Sequence, residues 1–129
     1  MDTALKTALW LLILLQVKHL FADYFLQTPR MLMNRDRYAH WGRAEHAGLH
    51  AILSFLALIL IGAPLGFSII LSLLEFIVHY HIDWAKGRHS VSTKLGPEDA
   101  GYWRAFGVDQ FMHQLTYVVM IWAWAHFTL

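Results

Sequence analysis

Four long apolar stretches, separated by breaks in the hydrophobic pattern, divide the chain. They cover about residues 4–27, 45–62, 67–86 and 106–127. Each is near the roughly 20 residues that a helix needs to cross the hydrocarbon core of a bilayer. Proline disfavours helix in the residue before it, so Thr28 is expected to end the first helix, and the glycine- and proline-containing run 62–66 separates the second from the third. The pattern predicts an all-α chain: an integral membrane four-helix bundle with up-down topology, forming one domain over residues 1–129.

Composition favours a membrane protein over a soluble one. Hydrophobic residues make up 57% and charged residues 15% of the 129 positions, whereas soluble domains average about 45–50% and about 25%. A soluble helical bundle is disfavoured because four such helices leave too little polar surface. The net charge of +1 gives no reason to expect a nucleic-acid partner. The absence of cysteine excludes disulfides, thiolate metal ligands and cysteine nucleophiles.

Basic residues orient the predicted bundle. Eight of the ten lie in two segments, between the first and second stretches and between the third and fourth: Arg30, Arg35, Arg37 and Arg43, then Lys86, Arg88, Lys94 and Arg104. The positive-inside rule therefore places both basic loops in the cytoplasm and both termini outside. The first of these loops could form a short interfacial helix or remain an ordinary loop. Lys18 is expected to extend its side chain to the membrane interface.

Ionisable residues recur at intervals of four within each apolar stretch. They are His19 and Asp23, then His46 and His50, then Glu75, His79 and Asp83, then Asp109 and His113. Residues four apart lie on one face of a helix. The four sets fall at the end of the first stretch, the start of the second, the end of the third and the start of the fourth. In an up-down bundle these ends meet at one membrane face.

Such groups are expected to converge inside the bundle, because an ionisable side chain facing lipid costs a few kcal/mol at least. Imidazole and carboxylate together suit zinc, manganese or iron. We expect one or two divalent ions, either two that share carboxylates or one supported by further carboxylates. The expected metal ligands are His19, Asp23, His46, His50, His79, Asp83 and His113, with Asp109 and Glu75 as catalytic carboxylates. A metal-free network that only holds the helices together is the alternative.

The motifs at these positions resemble those of a widespread family of small multi-span membrane proteins from bacteria and phages, which carries the label of a domain of unknown function. They read H-x3-D-x2-L-Q at residues 19–27, H-x3-H at 46–50, H-x-D-x2-K at 81–86 and D-Q-x2-H at 109–113. The third motif leaves open whether His79 or His81 is the functional histidine, and His79 is favoured because it shares a helix face with Asp83. The resemblance implies a small multi-span protein of a bacterial inner membrane without supplying a reaction. A looser likeness to small membrane-bound metal-dependent hydrolases is an analogy only.

The leading hypothesis is a metal-dependent hydrolase that acts on a lipid-linked or amphipathic substrate at the cytoplasmic face. The basic loops would then hold the phosphate headgroup of a membrane lipid. The alternatives are a transporter or channel component for protons or divalent cations, a haem- or quinone-binding bundle, and a non-catalytic membrane assembly protein. Four spans are few for an enzyme pocket, so a homodimer is also considered.

Overall fold

The computed structural model describes residues 2–129, and within that range the chain is helical without strands. Five helices follow one another: α1 (Thr3–Tyr24), α2 (Pro29–Leu32), α3 (Trp41–Leu60), α4 (Leu65–Thr93) and α5 (Ala100–Thr128). The prediction of an all-α chain is confirmed. A single helical turn, α2, lies in the first basic loop, where the sequence left a short helix and an ordinary loop as alternatives.

Helix boundaries differ from the apolar stretches in two ways. The first helix ends at Tyr24 rather than at residue 27, because Thr28 caps the next helix and Pro29 occupies its first turn. In contrast, α4 continues beyond residue 86 to Thr93, and α5 begins at Ala100 rather than near residue 106. Hydrophobicity predicts only the part of a helix that can contact lipid. The helix itself continues into polar sequence, because its backbone hydrogen bonds do not depend on apolar side chains.

The four long helices pack around a common centre. Helix α1 contacts α3 and α5, α4 contacts the same two helices, and α2 packs on α3. Half of this centre is an apolar cluster with Leu11, Leu58, Tyr117 and Trp124 among its members. Buried side chains among the described residues include twelve apolar and twelve polar or charged ones, while most of the large exposed side chains on the long helices are apolar. A soluble protein shows the reverse distribution.

Three helices, α1, α3 and α4, are long and apolar enough to cross a membrane. The fourth long helix, α5, carries Arg104 and the Asp109–His113 pair along its first half, which makes it more polar. Together with the apolar exterior, the three helices indicate a membrane protein.

The first basic loop is fastened over one end of this helical assembly by a buried arginine. Arg43 donates Nη1 hydrogen bonds to the carbonyl oxygens of Arg37 (2.6 Å) and Tyr38 (3.0 Å), and Nη2 donates to that of Arg35. The loop backbone also approaches α4 so closely that a Cβ atom at Gly87 would overlap the carbonyl group of Arg35. The loop is therefore held against the helix ends that carry the polar residues.

We expect Gly87→Ala to destabilise the protein, because the added methyl group must displace backbone rather than a flexible side chain. Overpacking of this kind costs about 1–3 kcal/mol. The midpoint of unfolding in mixed SDS and dodecyl maltoside micelles measures the effect. Gly107→Ala is the matched control, since a Cβ atom there meets no atom within 4 Å. Equal midpoints for the two variants would contradict the close docking of the loop.

Candidate metal centre

Asp83 brings together histidines from three helices. Its Oδ2 lies 3.5 Å from Nε2 of His46 on α3 and 3.3 Å from Nε2 of His79 on its own helix, α4. Its Oδ1 lies 3.3 Å from Nε2 of His113 on α5. The spacing of four residues places His79 and Asp83 on the same face of α4, as the sequence indicates.

Asp23 forms a second meeting point, between α1 and α3. Its Oδ1 lies 2.9 Å from Nε2 of His50 and 3.3 Å from Nε2 of His46. Its Oδ2 lies 3.3 Å from Nε2 of His19. Because His46 contacts both Asp23 and Asp83, it links the two carboxylates into one cluster.

Two sets of side chains in this cluster have the separations that a metal ion needs. One set is Asp23, His46, His50 and His79, and the other is His79, Asp83 and His113; within each, one potential ligand atom per residue lies within 4.8 Å of the others. Ligands about 2.0–2.1 Å from a tetrahedral zinc ion lie about 3.3–3.4 Å from one another. The separations of 3.3 Å from Asp83 to His79 and to His113 fit this edge, whereas the 2.9 Å between Asp23 and His50 lies in the usual hydrogen-bond range of about 2.7–3.2 Å.

The buried polar atoms without a hydrogen-bond partner among the described residues include four in or directly beneath the cluster. They are Nε2 of His79, Nδ1 of His46, Oδ1 of Asp109 and Oε2 of Glu75. Buried polar atoms of native proteins are almost always paired, so each needs a ligand such as an ion or a water molecule. The imidazole rings are also tightly packed, with the centroid of His79 3.9 Å from that of His50 and 4.3 Å from that of His113.

His19 lies beside the two sets and belongs to neither. The Tyr117 hydroxyl lies 2.8 Å from its Nδ1, and Oε1 of Gln110 lies 3.0 Å from its Nε2. Both ring nitrogens therefore have protein partners. Nε2 also lies 3.3 Å from Oδ2 of Asp23, so His19 contacts this carboxylate from outside the two sets. Sequence reasoning missed Tyr117, although this residue continues the spacing of four that Asp109 and His113 begin.

Lys18 and Glu75 form a buried ion pair beneath the cluster. Lys18 is only 6% exposed and Glu75 only 2%, and the ammonium of Lys18 donates to Oε1 of Glu75. The same ammonium lies 3.2 Å from Nδ1 of His50. The expectation that Lys18 reaches the membrane interface is wrong, because its position on α1 continues the buried stripe of Leu11 and Leu15.

An open cleft of about 480 Å³ leads to the cluster from the side of the first basic loop. Four carboxylates line it together with His46, those of Asp23, Asp36, Asp83 and Asp109, and residues 31–36 form part of its wall. Lys86 also lines the cleft, with Nζ 3.0 Å from Oδ2 of Asp109. A molecule that enters the cleft can thus reach Asp23, His46, Asp83 and Asp109, whereas His50, His79 and His113 do not line it.

The sequence motifs also contain His81 and Gln27. His81 points away from the cluster and contacts the hydroxyl of Tyr38 and the carbonyl oxygen of Ile77. Gln27 lies in the loop after α1, yet its Nε2 is 3.5 Å from Nε2 of His46. Between His79 and His81, only His79 lies in the cluster.

A protein-family model with the description "Protein of unknown function (DUF3307)" matches residues 11–129, which include every residue of the cluster. No curated protein and no solved structure matches the chain.

Proposed function

The chain belongs to the DUF3307 family, and we propose that it is a membrane-embedded metal-dependent hydrolase that acts on a lipid-linked or amphipathic substrate. The observation that carries this proposal is the cluster itself. Two sets of side chains each bring one potential ligand atom per residue within 4.8 Å of the others, and they are Asp23, His46, His50 and His79, and His79, Asp83 and His113. The cluster also lies at an open cleft that a substrate can enter.

In this proposal the long helices α1, α3, α4 and α5 cross the membrane as an up-down four-helix bundle. Both basic loops lie in the cytoplasm and both termini lie outside, following the positive-inside rule. The apolar exterior of the helices supports the membrane location. The cleft then opens at the cytoplasmic face, beside the first basic loop.

One or two divalent ions, of zinc, manganese or iron, would occupy the cluster. His79 belongs to both candidate sets, so it would ligate a single ion held by either set. With one ion, a carboxylate outside the coordination sphere would orient the ligating histidines. Two ions would share the cluster, one held by Asp23, His46 and His50 and the other by Asp83 and His113, with His79 available to one of them.

A bound divalent ion supplies a Lewis acid that acidifies a water molecule and polarises the bond to be cleaved. Asp109 would accept a proton, because it lines the cleft and its Oδ1 has no hydrogen bond while Oδ2 accepts from Lys86 and Gln110. Lys86 holds the other oxygen of Asp109 and adds positive charge for a phosphate group. Glu75 has a smaller role in proton transfer, since Lys18 already neutralises it below the cluster.

Transport of protons or divalent cations receives less support. On the far side of Tyr117, the buried side chains of the described residues include apolar ones such as Leu11, Leu58 and Met120 and the hydroxyls of Ser54, Ser68 and Ser72, but no ionisable group. A conducting path would require polar groups through this half. The restriction of buried ionisable groups to one half of the helical assembly supports a site that opens at one end rather than a path that runs through it.

Metal analysis and a hydrolysis assay test the proposal together. We expect the purified protein to carry stoichiometric divalent metal by mass spectrometry of its elements. We also expect it to cleave dioctanoyl phosphatidic acid or dioctanoyl phosphatidylglycerol, with products identified by liquid chromatography and mass spectrometry. A chelator should abolish the cleavage and added metal should restore it. The proposal would be overturned if the protein carries no stoichiometric metal and the His46→Ala variant cleaves the lipid at the same rate as the unmodified protein.

Asp109→Asn is expected to keep the metal and to lower the turnover rate about 100-fold, since a positioned proton acceptor contributes at least this much. The amide retains the size of the side chain but cannot take a proton. The control is Asp36→Asn, which changes an exposed carboxylate on the wall of the same cleft. Equal turnover by the two variants would remove Asp109 from the reaction.

A further inference from the structure

A second, apolar cavity lies between α4 and α5, next to the polar cleft. Its volume is about 720 Å³, within the range of about 300–1,000 Å³ that ligand pockets span. Its apolar walls include Ile82 and Ala85 on α4 and Ala105, Val108 and Met112 on α5. The small side chains of Ala85 and Ala105 leave room between the two helices. We call this cavity the α4–α5 groove.

The α4–α5 groove and the cleft share two wall residues, Lys86 and Asp109. Nζ of Lys86 lies 3.0 Å from Oδ2 of Asp109, so the two cavities meet at one ion pair. A single molecule that reaches both cavities must carry an apolar chain on one side of this pair and a polar group on the other. This description fits an amphiphile and excludes a purely polar substrate.

The charges around the junction select the polar group. Lys86 stands at the junction of the two cavities, Arg35 lines the cleft and Arg104 lines the α4–α5 groove. These three cations complement an anionic headgroup, such as a phosphate monoester, that lies in the cleft beside the junction. Exposed apolar side chains beside the groove, including Phe111, would face lipid in a membrane, so a chain can enter laterally from the bilayer.

We infer that the α4–α5 groove binds the hydrocarbon chain of a phosphate-bearing lipid, while its headgroup lies in the cleft over the metal centre. This inference rests on the proposed function, which it deepens by naming the substrate class. It also assigns a role to Ala85 and Ala105, whose small size keeps the groove open.

Binding of dodecylphosphonate tests the inference, because its carbon–phosphorus bond resists ester hydrolysis. Native mass spectrometry of the purified protein in an octyl ether detergent reports the bound probe. We expect dodecylphosphonate to bind at least about 10-fold tighter than methylphosphonate, which corresponds to about 1.4 kcal/mol. Equal binding of the two phosphonates would show that no chain is bound and would overturn the inference.

Two variants that fill the groove from opposite walls locate the chain. Ala105→Trp and Ala85→Trp should each remove the advantage of dodecylphosphonate over methylphosphonate. Val118→Trp, an exposed position on α5 outside the groove, is the control and should keep that advantage. If both filling variants bind the probe as the control does, the inference is wrong. A change of oligomeric mass without loss of the probe would instead identify the groove as a contact between two copies, which also overturns it.

The metal content of the same samples separates this inference from the proposed function. Loss of the probe in the filled variants of a protein that carries no metal would support the groove and contradict the hydrolase. Stoichiometric metal in a protein whose filled variants still bind the probe would support the metal centre and contradict the groove.

Discussion

His79→Ala is expected to strip the candidate centre of its metal. His79 is the residue common to both sets of potential ligands, and its side chain is 2% exposed. Alanine removes the ligand and leaves the neighbouring rings of His50 and His113 without their packing partner. The loss of affinity should exceed the roughly 10–100-fold that removal of a merely supporting group costs. Elemental mass spectrometry after dialysis against a weak chelator measures the remaining metal.

His81→Ala is the matched control for this experiment. It removes the same kind of side chain from the same helix, two residues away, but His81 is exposed and contacts only Tyr38 and the backbone of Ile77. We expect its metal content to equal that of the unmodified protein. The unfolding midpoint of both variants, measured without metal, shows whether His79→Ala still folds. Full metal in a folded His79→Ala protein would rule out a metal centre built on this residue.

The location of the cluster was predictable because two regularities of the sequence coincide. The spacing of four places each pair on one helix face, as for His79 and Asp83. The alternation of helix ends then predicts that the pairs meet at one level. Neither regularity depends on the details of packing, which is why the sequence alone carries them.

The individual contacts could not be predicted in the same way. Whether His19 binds a metal or a tyrosine depends on the rotation of α1 relative to α5, which places Tyr117 against it. The grouping of His46 with both Asp23 and Asp83 likewise depends on how α3 sits between α1 and α4. These are tertiary relations, and one helix at a time does not define them.

The burial of Lys18, in contrast, could have been predicted from the periodicity of the sequence. Leu11, Leu15, Lys18 and Ala22 follow one another at intervals of three and four, and all are buried. A lysine near a helix end is expected to reach the membrane interface, whereas this periodicity places Lys18 on the buried face of α1. A buried carboxylate on another helix, Glu75, reverses the outcome by pairing with it.

Lys18→Met should lower the free energy of unfolding by about 3–5 kcal/mol, the usual cost of removing one member of a buried ion pair. Methionine fills the space of the lysine stem but leaves the carboxylate of Glu75 buried without a countercharge. Nδ1 of His50 also loses its neighbouring donor. Unfolding in mixed SDS and dodecyl maltoside micelles measures the change. Lys6→Met is the control, because Lys6 lies exposed on the same helix.

The double variant Lys18→Met with Glu75→Met separates the cost of an unpaired charge from the cost of altered packing. When both charges are replaced by apolar side chains of similar size, the desolvation penalty of both groups disappears, and most of the lost stability should return. A double variant as unstable as Lys18→Met would show that shape, rather than charge pairing, is what this position requires. Lys18→Met as stable as Lys6→Met would contradict the buried pair itself.

The metal content of the double variant distinguishes two roles of the pair. If the metal stays stoichiometric, the pair supports the cluster only by stabilising the fold. Loss of metal from a stable protein would mean that the Lys18–His50 contact holds His50 in place for the ion.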